Sequence, residues 1–90
     1  MNTDIEVTLK IPEYDRYEGV RTSWVDGFRI SVSQDNGDIV IAANAEGLQT
    51  LAAHLLTLAQ SGMPIGNHLH YDPDAGLEDD SLQLIFIRKE

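Results

Sequence analysis

Phe28-Arg29-Ile30-Ser31-Val32-Ser33-Gln34-Asp35-Asn36-Gly37-Asp38-Ile39-Val40-Ile41-Ala42-Ala43 is the stretch on which the fold turns. Phe28, Ile30 and Val32 alternate with Arg29, Ser31 and Ser33, the period of a half-buried strand. Asn36-Gly37 is a strong hairpin signal, because both residues tolerate the positive φ that a type I′ turn demands. A two-residue turn there sets Val32 opposite Ile41 and Ile30 opposite Ala43. Both pairs then lie on the apolar face, so register and pattern agree.

Downstream, Asn44 reads as a helix N-cap, with Glu46 in the first turn favourable to the helix dipole. Leu48, Leu51, Ala52, Leu55, Leu58 and Ala59 recur at helical spacing, and Gly62 and Pro64 stop the helix. The pattern predicts a helix over about 45–61, packed through Leu48, Leu51, Leu55 and Leu58. His54 reads as a residue flanking that stripe. His68–Tyr71 is a short strand, Asp72–Asp80 an acidic loop, and Leu82–Ile87 a last strand, apolar enough on both faces for a central place in its sheet.

Upstream, Ile5, Val7, Leu9 and Ile11 alternate with Glu6, Thr8 and Lys10, which predicts a further strand ended by Pro12. Val20, Thr22 and Trp24 suggest another short one, and Asp26-Gly27 a turn. The expected architecture is α+β: two layers, a mainly antiparallel β-sheet with one helix packed on one face. Ninety residues make one domain, spanning residues 1–90.

Charge narrows the function. The net charge is −9. Residues 31–87 contain no lysine and no arginine, yet hold Asp35, Asp38, Glu46, Asp72, Asp74, Glu78, Asp79 and Asp80. Such a single-sign field repels nucleic acid and anionic membranes and attracts cationic partners. With no cysteine, disulfides, thiolate metal sites and cysteine nucleophiles are excluded. No signal peptide or membrane-spanning run is evident, so a cytoplasmic protein is expected.

Motifs for catalysis are absent: no G-x-S-x-G, no G-x-G-x-x-G and no P-loop. His68 and His70 would share one strand face, and Asp72 could add a carboxylate, which makes these three the metal candidates. Asp72-Pro73-Asp74-Ala75-Gly76 begins like a calcium loop but departs from it within a few residues. The expectation is no enzyme, no cofactor and no tightly bound metal. The alternative from another class is a small metal-binding or metal-dependent hydrolase domain using His68, His70 and a nearby acid. A third is a structural subunit that pairs through a sheet edge. Partner-binding candidates are Asp72, Asp74, Glu78, Asp79 and Asp80, with Tyr14, Tyr17 and Trp24 as aromatic anchors.

The second half also resembles a known family. Ile41–Leu48 with its N-x-x-G-L helix start, the G-x-H-x-H-x-D run Gly66–Asp72, and Leu77-Glu78-Asp79-Asp80-Ser81-Leu82-Gln83-Leu84-Ile85 follow one another as in immunity protein family 32 of bacterial polymorphic toxin systems. The sequence departs at Gln83, where an acid is expected, and at Tyr71. The likeness implies an α+β immunity protein that binds and blocks a cognate toxin, often a nuclease. An acidic protein suits a basic toxin partner on charge alone.

Overall fold

The computed structural model describes residues 3–90. Its elements run β1 (Ile30–Asp35), β2 (Asp38–Ala43), α1 (Ala45–Ala59), β3 (His68–Tyr71) and β4 (Leu84–Ile87). Strands β1 and β2 form the expected hairpin. Asn36 and Gly37 both take positive φ, 52° and 85°, and the register places Ile30 opposite Ala43 and Val32 opposite Ile41. Strands β3 and β4 form a second antiparallel pair, with Tyr71 opposite Leu84.

Among the described residues the fold is thus an α+β mix of one helix and two small antiparallel sheets of two strands each. The expected single sheet is divided because the chain between β3 and β4 meets β1 only briefly. Glu78 N donates to Ile30 O (2.8 Å), and Leu82 N donates to Val32 O (2.9 Å). Between these bonds the chain turns, with Ser81 N donating to Glu78 O and Asp80 at φ 66°. The ladder cannot continue through that turn.

Asn44 fixes the start of α1. Its Oδ1 accepts from Gly47 N (2.8 Å) and Arg29 N (2.9 Å), and its Nδ2 donates to Gly27 O (2.8 Å). One side chain therefore caps the helix and ties it to the chain entering β1. Gly47 lets the helix approach: a Cβ there would stand 2.6 Å from Arg29 O and 2.9 Å from Ile30 Cγ1. The helix holds no base in its last turn. Arg88, just beyond β4, supplies one, donating from Nη1 to Leu58 O (2.7 Å) and Gln60 O (3.2 Å).

The core gathers Ile30, Val32, Leu51, Tyr71 and Leu77, with Trp24, Phe28, Ala43, Leu69, Leu84 and Phe86 packed against it. Two sequence expectations about the helix need correction. Leu51 and Leu58 are buried, but Leu48 and Leu55 stay 55% and 48% exposed. The buried face instead includes Gly47, Thr50, His54 and Thr57. The expected strands at 5–11 and 20–24 are also not formed. Residues 5–11 have no sheet to join: Ile5 and Val7 are exposed. In residues 20–28, Ser23 O and Val25 N bond to His54 and Thr50 of α1, and Gly27 O to its cap Asn44. Among the described residues, no helix is long and apolar enough to cross a membrane.

Candidate functional site

Thr50, His54 and Thr57 lie at helical spacing and form a buried polar stripe. Thr50 and Thr57 hydroxyls donate to the carbonyls of Glu46 and Ala53, one turn back, both at 2.8 Å. Thr50 Oγ1 also accepts from Val25 N (3.0 Å). His54 Nε2 lies 2.8 Å from Ser23 O, and its Nδ1 lies 2.8 Å from Tyr71 Oη. A carbonyl can only accept, so Nε2 carries the proton and the Tyr71 hydroxyl donates to Nδ1. One helical turn on, Gln60 holds the chain at both ends of its amide: Oε1 accepts from Tyr14 N (2.8 Å) and Nε2 donates to Pro12 O (3.0 Å). The helix thus docks residues 12–25 by their backbone. No buried side-chain nitrogen or oxygen among the described residues lacks a partner.

Around His54 the aromatics close in. Trp24 stands edge-on to His54 with centroids 4.7 Å apart, Phe28 is 4.7 Å from Trp24, and Tyr71 is 5.9 Å from it. Burial holds the His54 pKa below its ordinary value, and the bond to Ser23 offsets only part of that. Burial also raises the Tyr71 phenol. Both groups are neutral near pH 7. The unfolded chain binds a proton at His54 more readily, so stability must fall as pH drops. The fall begins near the unfolded histidine value of ~6.5 and ends at the depressed folded value. Urea midpoints measured between neutral and mildly acidic pH should show this slope, and His54→Asn should remove it. A slope unchanged in that variant would mean another group governs the window.

The partner-binding candidates fall into distinct places. Asp72 closes a tight turn, its carbonyl accepting from Ala75 N (2.8 Å) and Leu77 N (3.0 Å) and its Oδ1 from Asp74 N (2.9 Å). Buried Leu77 anchors the middle of the loop. Glu78, Asp79 and Asp80 follow, all exposed, on backbone fixed to β1. Among the described residues the one ion pair is Arg21–Glu18 at 3.0 Å, so none of these five acids is neutralised by a base. Glu78 also borders a crevice with Arg29, Ser31 and Asn44. Tyr17 is exposed with the Arg16 guanidinium 4.8 Å above its ring. Tyr14 is half-buried. Trp24 packs on the core and does not stand at the surface with Tyr17. The aromatic trio is therefore not one patch.

His68 and His70 share the outer face of β3, as their spacing requires, and both are exposed. His68 Nδ1 is 3.3 Å from Gly66 O, and His70 Nε2 is 3.2 Å from Gln83 Oε1. Gln83 occupies the place at which an acid was expected. Among the described residues, no three His, Asp or Glu side chains gather where they could hold a metal ion. The metal-hydrolase alternative thus has no assembled donor set.

The sequence profile of immunity protein 32 matches residues 38–89, more than half of the chain. The chain belongs to the immunity protein 32 family. Neither curated proteins nor solved structures yield a match. The family match begins at Asp38, the first residue of β2, and takes in the whole polar stripe of α1. It leaves outside the segment that the stripe holds. Sequence reading missed this stripe because Thr and His are counted as polar; the one available signal was their shared 50-54-57 spacing.

Proposed function

We propose that this protein is a non-catalytic cytoplasmic immunity protein that binds a cognate basic toxin and blocks it. Membership of the immunity protein 32 family carries the reading. The charge distribution supports the choice of a basic partner: five unpaired acids lie within Asp72–Asp80, in a half-chain without lysine or arginine until Arg88. A nuclease is the toxin class that fits best, because a groove built for phosphates is cationic and accepts carboxylates in their place. The loop is pre-ordered by Leu77 and by the bonds to β1, so little entropy is lost on docking. Tyr17, exposed beside Arg16, is the aromatic contact offered at a second edge.

The test is association kinetics with the cognate toxin domain. Replacing Glu78, Asp79 and Asp80 with Gln, Asn and Asn should slow association and flatten its salt dependence, while the fold survives. Steered association reaches ~10⁸–10⁹ M⁻¹s⁻¹ at low salt, and unsteered docking is typically ~10⁵–10⁶. The loss should therefore be at least about tenfold at low salt. A wild-type rate at every salt concentration would remove the loop from the interface.

A further inference from the structure

Three observations concern a strand without a sheet and a sheet without a strand. Residues 5–11 carry strand alternation, yet make no hydrogen bond among the described residues, and Ile5 is 87% exposed. Strand β4 is apolar on both faces, the composition of a central strand, yet it pairs only with β3. No backbone bond among the described residues reaches its other edge. Between α1 and β4 lies a groove of about 360 Å³, walled by Leu55, Leu58 and Ala59 of α1 and by Ile85 and Ile87 of β4. Ile85 and Ile87 are 56% and 58% exposed. Arg88 and Lys89 stand at its rim.

We propose that this groove receives the Ile5–Ile11 arm of a second copy of the chain. Each copy adds a strand to the other's β4 edge, and the two exchanges are related by a two-fold axis. Charge selects the occupant. Asp4 and Glu6 at the outer end of the arm are acids, and Arg88 and Lys89 are the only bases after Arg29. The outer edge of β2 begins at Asp38 opposite Asp35 and would repel the same acids, and the outer edge of β3 runs straight into Asp72 and Asp74. Period-2 alternation lets Ile5, Val7, Leu9 and Ile11 face the apolar groove together.

The root of the arm explains why the occupant is a second copy. Gln60 grips Pro12 and Tyr14 with its side chain and accepts from Arg88 through its carbonyl, so the arm leaves beside one end of the groove. Pro12 keeps Ile11 extended, so the chain departs straight and does not fold back on its own groove. Extended arms on stiff roots favour exchange over self-closure.

Light scattering of the full chain from low to high micromolar concentration tests the proposal. The wild type should become dimeric. The Ile5→Asp/Val7→Asp variant should dimerise about tenfold or more weakly, and at low concentration, where both proteins are monomeric, its circular dichroism spectrum should match the wild type's because both sites are exposed. The chain has no cysteine, so engineered pairs report cleanly. Val7→Cys in one tagged copy should cross-link to Ile87→Cys in another under mild oxidation. A wild type that stays monomeric throughout would overturn the proposal. So would a dimer indifferent to the arm substitutions, or a Val7→Cys/Ile87→Cys chain that closes its disulfide within itself.

Discussion

Tyr71→Ala should leave the protein unfolded or barely folded at room temperature. Tyr71 is the largest of the fully buried side chains, at 1% exposure. Its ring meets Trp24, His54 and Phe86. Truncating a buried aromatic costs ~3–5 kcal/mol through lost burial and the cavity left behind. The change also removes the donor to His54 Nδ1. A buried acceptor left without a partner costs ~1–3 kcal/mol more. Small domains hold only ~5–15 kcal/mol in total, so the sum takes most of it. Tyr71→Phe separates the two effects: the ring stays, and only the hydroxyl contribution should be lost. Urea unfolding of the two variants measures both. If Tyr71→Phe were neutral, the His54 bond would carry no stability.

The second large effect is expected at Gly76. This residue sits at φ 96°, and a Cβ there would collide with the six-membered ring of Trp24. Gly76→Val asks a β-branched residue to adopt a conformation that costs ~1–3 kcal/mol. It also overpacks the Trp24 site, for about 1–3 kcal/mol more. A red-shifted or weakened Trp24 emission should accompany the loss, since Trp24 is the only tryptophan. By contrast, Gly37→Asn should be mild: its φ is 85°, but no atom lies within 4 Å of the added carbon, and asparagine tolerates that region. Thermal melts of the two variants would rank them; equal losses would mean that the Trp24 contact does not decide.

Where local chemistry determines the backbone, the sequence was legible. Asn36-Gly37 set the β1–β2 register, Asn44 capped the helix, and β3 lay at His68–Tyr71 as expected, whereas the last strand runs over Leu84–Ile87 instead of Leu82–Ile87 and, paired with β3 alone, is not central. The acidic loop was legible as a loop, although its anchoring by Leu77 was not. Two kinds of information were hidden. One is the choice of helix face. Leu48 and Leu55 have the spacing of core residues, but Thr50, His54 and Thr57 took the inner side because their side chains satisfy an incoming backbone. Hydropathy cannot register a polar residue wanted for its hydrogen bond. The other is the fate of residues 5–11. Alternation shows that a segment is suited to a sheet, and a partner edge must still be supplied by the rest of the molecule.

The backbone grip on residues 12–25 has a consequence for how this segment can drift. The helix reaches it at Pro12 O, Tyr14 N, Ser23 O and Val25 N, all main-chain atoms. What is held is a path, and the letters written along it are largely free. The exceptions follow from the direction of each bond. Tyr14 and Val25 donate, so proline alone is barred by the bond itself at those positions. Pro12 and Ser23 accept, so the bond itself bars no residue there, although the Pro12 ring still sets the course of Ile11. Side chains are engaged elsewhere in the stretch as well: Trp24 packs on the core, Asp15 Oδ1 accepts from Tyr17 N, and Arg21 pairs with Glu18. A lineage of such proteins can therefore rewrite this outer strip while leaving the helix that carries it untouched.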